Sequence, residues 1–345
     1  MSPVTERTIQ KRSATKLRKP RLGFLGVGWI GRHRLQAIAA TGLAEVATIV
    51  DPADMFADKA AEIVPSVKRL RDLEALLDAD LDGIVIATPS ALHAQQSVAA
   101  LQRGIAVFCQ KPLGRTAQET TSVISAAREN DCLLGVDLSY RFINCIRDIH
   151  KLCQSGELGE VFAVDLTFHN AYGPDKPWFY DRKLSGGGCV IDLGIHLVDL
   201  ALWNLGFPRI KKVSSRLFAQ GKAIHGRSNE VEDYAIAALD LESGATIRLA
   251  CSWKLPAGCD AIISGSFYGT QGGAAFHNID GSFYDFKAEK FHGIERQALT
   301  CLKEDWGGRA AVDWVERLAM GERFNPEIET LSQVADALDA IYERA

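Results

Sequence analysis

The chain has no Cys-x-x-Cys pair, no internal repeat and no low-complexity stretch. Its eight cysteines, at positions 109, 132, 145, 153, 189, 251, 259 and 301, share no matched spacing. That excludes a disulfide framework. They read as small buried hydrophobes in a reducing compartment, the cytoplasm. No apolar run approaches the ~18 residues a membrane span needs. The N-terminal region has no apolar segment of the kind a secretory signal carries. An excess of positive charge is also missing: a net charge of −4 gives no electrostatic reason to expect nucleic acid as a partner. One local exception is the cluster Arg7, Lys11, Arg12, Lys16, Arg18, Lys19 and Arg21. It reads as a solvated, disordered tail over residues 1–20 rather than a binding arm.

What is present suffices for more than one core. The chain has 345 residues, beyond the ~250–300 at which single cores stop growing. From residue 21, short apolar runs (21–25, 45–51, 82–88, 106–110, 132–137) alternate with helical patterns (29–41, 55–63, 91–103, 116–130). Such alternation predicts βαβ units around a parallel sheet, with ligands at the carboxyl ends of the strands. After about residue 140 the pattern changes. A helix over 144–154 precedes strands expected at 231–241, 245–253, 261–269, 273–277 and 281–286. In the second of these Ile247, Leu249, Cys251 and Trp253 alternate with Thr246, Arg248, Ala250 and Ser252, the period of a half-buried antiparallel strand. Two helices, near 308–321 and 329–344, end the chain.

Gly26-Val27-Gly28-Trp29-Ile30-Gly31 is a GxGxxG between the first strand and the first helix, the context this motif needs. Gly26 permits the tight turn, Gly28 lets backbone approach a pyrophosphate, and Gly31 lets helix and strand pack closely. Asp51 ends the second strand, at the spacing of roughly 20 residues where an acid accepts from adenosine ribose hydroxyls and repels a 2′-phosphate. Its other reading is a cap on the following helix. Pro52 and Ala53 follow, so no adjacent arginine would neutralise that phosphate. The fold class expected is therefore α/β. An N-terminal Rossmann domain with a parallel sheet occupies 21–140, and a C-terminal α+β domain with a largely antiparallel open sheet occupies 141–345. NAD is the expected cofactor, ahead of NADP.

Two segments carry chemistry. Gln110-Lys111-Pro112 follows the fifth strand and brings a lysine to the cofactor crevice. Further on, Ser185-Gly186-Gly187-Gly188 opens a helix running to about Asn204, on which Asp192, His196 and Asp199 fall on one face. Ionisable groups on so apolar a helix are costly unless they have a task. A structural His–Asp hydrogen bond, a metal site and acid–base machinery are all compatible with that spacing, although the metal reading lacks a third ligand nearby in sequence.

Together, GVGWIG, Thr88-Pro89 with His93 after the DGIVIATP strand, QKP, GGGCVIDLGIHLVD and the Tyr268-Gly269-Thr270-Gln271-Gly272 turn resemble the glucose–fructose oxidoreductase, inositol dehydrogenase and rhizopine-catabolism (Gfo/Idh/MocA) family. The resemblance covers nearly the whole chain from Arg21. It implies metal-independent hydride transfer on sugars, cyclitols and related polyols, with Lys111, Asp192 and His196 as the catalytic set. His196 or Lys111 would take the hydroxyl proton as hydride leaves carbon, and Asp192 would orient its partner. Gly26, Gly28, Trp29, Ile30, Gly31, Asp51, Thr88, Pro89, His93, Gln110 and Lys111 would line the cofactor site. One position departs from the family pattern: its motif is EKP, and Gln110 stands where the glutamate would be. Tyr140, Arg141, His169, Tyr172, Trp178 and Tyr180 are the residues expected around a hydroxylated ring. An open second sheet with too few helices for both faces predicts a homodimer or homotetramer. Two other readings keep the same cofactor fold: a ligand sensor or regulator without turnover, and a reductase of a non-sugar substrate such as an imine.

Overall fold

The structure, a computed structural model, describes residues 18–226, 230–299 and 303–344. The basic N-terminal cluster lies outside the described residues as far as residue 17, and so does Cys301. Arg18 is placed, 3.1 Å from Asp82 and 3.4 Å from Asp80.

The first sheet contains β1 (Arg21–Leu25), β2 (Glu45–Val50), β3 (Lys68–Arg69), β4 (Gly83–Ile86), β5 (Ala106–Cys109) and β6 (Leu134–Val136). All are parallel, in the order β3-β2-β1-β4-β5-β6. β4 and β5 are buried throughout, because helices cover both faces, and so they read as unbroken apolar runs, GIVI and AVFC. The strand order reverses between β1 and β4. At that switch point the loops leaving the two strands part and open a crevice.

The second sheet contains β7 (Val161–Asn170), β8 (Ile210–Ala219), β9 (Lys222–Ile224), β10 (Tyr234–Leu241), β11 (Thr246–Ser252), β12 (Ala261–Gly269), β13 (Gly273–Asn278), β14 (Phe286–His292) and β15 (Glu295–Leu299). Its order is β15-β14-β13-β12-β7-β11-β10-β8-β9, antiparallel at each pairing except β7 with β11. The helix Ile195–Asn204 lies among the buried side chains of this sheet.

One expected strand is corrected. Residues 281–286 are not a strand, and the strand begins only at Phe286. Asp280 and Gly281 take positive φ angles of 50° and 75°, and Ser282 N donates to Ile279 O at 2.8 Å. This Asp-Gly turn reverses the chain between β13 and β14.

The last helices return to the first half of the chain. Trp314, on the helix Arg309–Ala319, packs beneath the parallel sheet with its ring centroid 5.8 Å from that of Phe108. On the helix Leu331–Glu343, Asp339 accepts from the Ala117 amide at 2.9 Å, while the Ile341 carbonyl accepts from Ser215 on β8 at 2.6 Å.

Candidate active site

A cleft runs from the glycine loop to the helix that carries Asp192. Gly26 has φ +87°, and a Cβ on it would lie 2.6 Å from the Ala87 carbonyl oxygen. A Cβ on Gly31 would lie 2.1 Å from the Gly26 carbonyl oxygen. Gly28 differs: a Cβ there would meet no protein atom within 4 Å. Internal packing does not demand a glycine at that position, and Gly28 lines the cleft with open space beside its backbone. The helix Trp29–Thr41 starts there without a side-chain cap and without an acid in its first turn, leaving its N–H groups for an anion. These features fit the pyrophosphate of a dinucleotide.

Asp51 lies beside this loop. Its Oδ2 accepts from Val27 N at 2.8 Å and its Oδ1 from Ala53 N at 2.9 Å. The residue capping the next helix is Ala53, not Asp51. Thr88 and Pro89 line the cleft after β4, and Thr88 Oγ1 donates to Gln96 at 2.6 Å. His93 is buried, with ring nitrogens 2.7 Å from the Thr88 and Pro112 carbonyls. It clasps the loops after β4 and β5, and burial lowers its pKa.

Lys111 stands at the end of β5 in a turn whose Lys111–Pro112 bond is cis. Its Nζ lies 2.5 Å from Asp192 Oδ1 and 2.8 Å from the Asp192 carbonyl oxygen. The other carboxylate oxygen of Asp192 accepts from the Trp253 indole at 3.0 Å. Asp192 sits where its helix widens into a π turn, Val190–Gly194, a local distortion often found at functional sites. The glycine run before it is set by close approach: a Cβ on Gly187 would lie 1.9 Å from the Tyr342 hydroxyl oxygen, and one on Gly188 1.9 Å from the Glu232 carbonyl oxygen. Glu232, fully buried, accepts from the Gly188 and Val190 amides and from Tyr342 Oη, which anchors the start of this helix.

The three ionisable groups of the helix take separate partners. Asp199 is paired with Arg141 at 2.5 Å. His196, 8% exposed, packs its ring 4.8 Å from that of Tyr140, and its Nδ1 has no hydrogen-bond partner among the described residues. Burial, then the charge of Lys111, holds His196 well below its ordinary pKa of 6.5. Burial and then Asp192 push the Tyr140 hydroxyl up, so it stays protonated.

Of the residues expected around a substrate ring, Trp178 lines the cleft. Tyr140 backs His196, and Arg141 is held by Asp199 with its guanidinium over the Trp203 and Phe207 rings. His169 bonds Ser252 at 2.8 Å, Tyr172 donates to Asp260 at 2.6 Å, and Tyr180 donates to the Pro174 carbonyl at 3.0 Å. These five do not line the cleft, and neither does His196 of the expected catalytic set, whereas Lys111 and Asp192 do. Asn170, Lys176 and Phe179 do, and sequence reasoning missed them along with Trp253. No local signal marks Trp253 as a partner of Asp192, because strand pairing alone brings β11 beneath that helix.

Fold and cleft define a two-part dinucleotide-binding protein whose second sheet closes the cofactor crevice. The chain belongs to the Gfo/Idh/MocA family. Residues 20–138 match the oxidoreductase family with the NAD-binding Rossmann fold, and residues 146–275 match the GFO/IDH/MocA C-terminal domain. It is similar to D-glucoside 3-dehydrogenase of Escherichia coli (strain K12), 28% identical over 58% of this chain and 60% of that protein, so the match spans less than two thirds of that relative. It is also similar to inositol 2-dehydrogenase of Rhizobium meliloti (strain 1021), 27% identical over 75% of this chain and 76% of that protein. Among solved structures, levoglucosan dehydrogenase in complex with NADH superposes with a TM-score of 0.81 at 21% identity, covering 95% of this chain and 97% of the other; at that identity the likeness is one of fold.

Proposed function

We propose that this chain is an NAD(H)-dependent dehydrogenase or reductase acting at a CH–OH carbon of a sugar, cyclitol or related polyol. The observation that carries the reading is Lys111 on Asp192 at 2.5 Å, in the wall of the cleft whose other end is the glycine loop. The sugar and cyclitol dehydrogenases among the relatives support the substrate class. The amides at the start of the helix Trp29–Thr41 would hold the pyrophosphate, and Asp51 the adenosine ribose; its carboxylate favours NAD over NADP. A bound nicotinamide supplies the hydride acceptor or donor.

The protein's own part is to orient the substrate and move a proton. The Lys111 ammonium, aimed by Asp192, would donate to the reacting oxygen. His196, kept neutral at physiological pH and close enough to feel the Lys111 charge, would accept the hydroxyl proton if a bound substrate reaches its ring. Trp253 would fix Asp192 by taking its second oxygen. Trp178 would offer a flat apolar face to the ring of a polyol. No step calls for a metal, so turnover should survive dialysis against a chelator. We further propose a cytoplasmic enzyme that assembles as a homodimer or homotetramer through the open face of its second sheet.

The test is a panel of sugars, sugar acids and inositols offered with NAD⁺ and with NADP⁺, followed by the absorbance of the reduced nicotinamide. Turnover with at least one polyol, faster with NAD⁺, is the expected result. NADH binding without turnover on any of them would favour a ligand sensor instead.

A further inference from the structure

The Gln110 side chain is held by a buried charged cluster that the catalytic reading does not use. Arg34, on the helix that follows the glycine loop, lies 2.6 Å through Nε from Asp137 Oδ2, with side chains 7% and 0% exposed. The Gln110 amide nitrogen donates to the same oxygen. Ser139 Oγ donates to Asp137 Oδ1 and accepts from Arg34 at 3.3 Å. Backbone bonds fix the frame: Asp137 N donates to Cys109 O at 3.0 Å, and Gln110 N to Ile86 O at 2.9 Å.

We propose that Arg34 and Asp137 are positioning residues that lock the Gln110 side chain, and with it the turn bearing Lys111, against the phosphate-loop helix. The negative charge of this part of the site thus sits behind the cleft on Asp137, neutralised by Arg34, and residue 110 meets its ligand as a neutral group. A carboxylate accepts hydrogen bonds only, so Asp137 dictates which end of the amide faces it. The carbonyl oxygen of Gln110 has no partner among the described residues, and Gln110 lines the cleft, so it remains available as an acceptor there. A glutamate at 110 would press two carboxylates together on a single guanidinium, so that one of them must take up a proton or swing away. The amide at 110 therefore suits the charge at 137. Through Ser139 the clasp also reaches the 3-10 turn Ser139–Phe142, whose Tyr140 packs its ring on His196.

This inference rests on the proposed dehydrogenase reading for its catalytic consequence, but two of its readouts need no substrate. The experiment compares the full chain with Gln110→Glu, Asp137→Asn and the double variant, by thermal melting, by NADH titration followed through fluorescence, and by kcat and KM once a polyol is found. Gln110→Glu should weaken NADH binding roughly tenfold, within the coupling seen between contacting residues. It should also lower kcat more than it raises KM for the polyol, because it displaces Lys111. Asp137→Asn leaves Arg34 buried without its counter-charge and should lower Tm on the order of 5 °C or more. The double variant should recover most of the NADH affinity lost by Gln110→Glu, since an amide and a carboxylate again face each other. Wild-type NADH binding in Gln110→Glu would overturn the proposal. So would a defect in Gln110→Glu that Asp137→Asn fails to rescue, because charge apposition would then not be its cause. If Asp137→Asn does not fold alone, the comparison of Gln110→Glu with the double variant still decides. A protein that binds NADH in this pattern yet turns over no polyol would sink the dehydrogenase reading and leave the clasp standing.

Discussion

Lys111 and Asp192 lie 81 positions apart in the chain, yet the ammonium sits 2.5 Å from the carboxylate with both side chains under one-fifth exposed. Other long-range ion pairs of the chain, such as Arg141 with Asp199, stand away from the cleft, whereas Lys111 and Asp192 both line it. If the pair handles the substrate proton, Lys111→Ala should lower kcat by ~10²–10⁴, the usual cost of removing a proton-transfer group. NADH affinity should change little, because the glycine loop and Asp51 lie at the other end of the cleft. Asp192→Asn and Trp253→Phe should give smaller losses in the same direction. Steady-state kinetics with the identified polyol, together with NADH titration, checks this; near wild-type turnover in Lys111→Ala would remove the pair from the mechanism.

Asp51 governs cofactor choice in this reading. NAD(H) should bind more tightly than NADP(H), and Asp51→Ala should narrow the gap. The same substitution leaves the Val27 and Ala53 amides without their acceptor, so a loss of overall dinucleotide affinity should accompany the change of preference. Calorimetric titration with both cofactors separates the two effects. Tighter binding of NADP(H) by the unaltered protein would contradict the assignment.

Acid should destabilise the protein beginning near pH 6.5. His33, His150, His169, His196 and His277 all have lowered pKa values, with burial as the leading cause. Their neutral forms are favoured in the folded state, while an unfolded chain takes up protons at the ordinary value. The stability they contribute is present above about 6.5 and is lost as pH falls through the lowered values. Melting temperature recorded from pH 8 to 5 should fall on the acid side, and His196→Asn should flatten that fall. For the same reason kcat/KM should show no acid limb at the ordinary histidine value if His196 is the base.

Among the described residues, nothing covers one face of the second sheet. Ile236, Ile262 and Tyr268 are 41%, 36% and 42% exposed on it, while the opposite face is covered by helices. Association with a second copy should bury this face. Light scattering should report a dimer or tetramer, and Ile236→Glu with Ile262→Glu should shift it toward monomer while leaving the NADH site intact. A concentration-independent monomer would refute the assembly.

Local sequence alone determined a good deal. Period and punctuation placed β1, the helix Trp29–Thr41, the helix Asn144–Gln154 and β12 at their observed bounds, because each is specified by short-range patterning that ends at a turn or cap. The glycine loop and Asp51 were legible for a related reason: their geometry is set within one βαβ unit. The buried face of the helix Trp29–Thr41 even held an unread signal, since Arg34 shares it with Gly31, Leu35 and Ile38, and a charge on such a face demands a partner. What the sequence could not say was who that partner is. Asp137 for Arg34, Trp253 for Asp192, Arg141 for Asp199 and Tyr140 for His196 are all chosen by how strands and helices stack. A π turn, Val190–Gly194, breaks the regular helical spacing from which one shared face was expected. Periodicity describes which side of an element faces inward; only the packing of distant elements decides which side chains meet there.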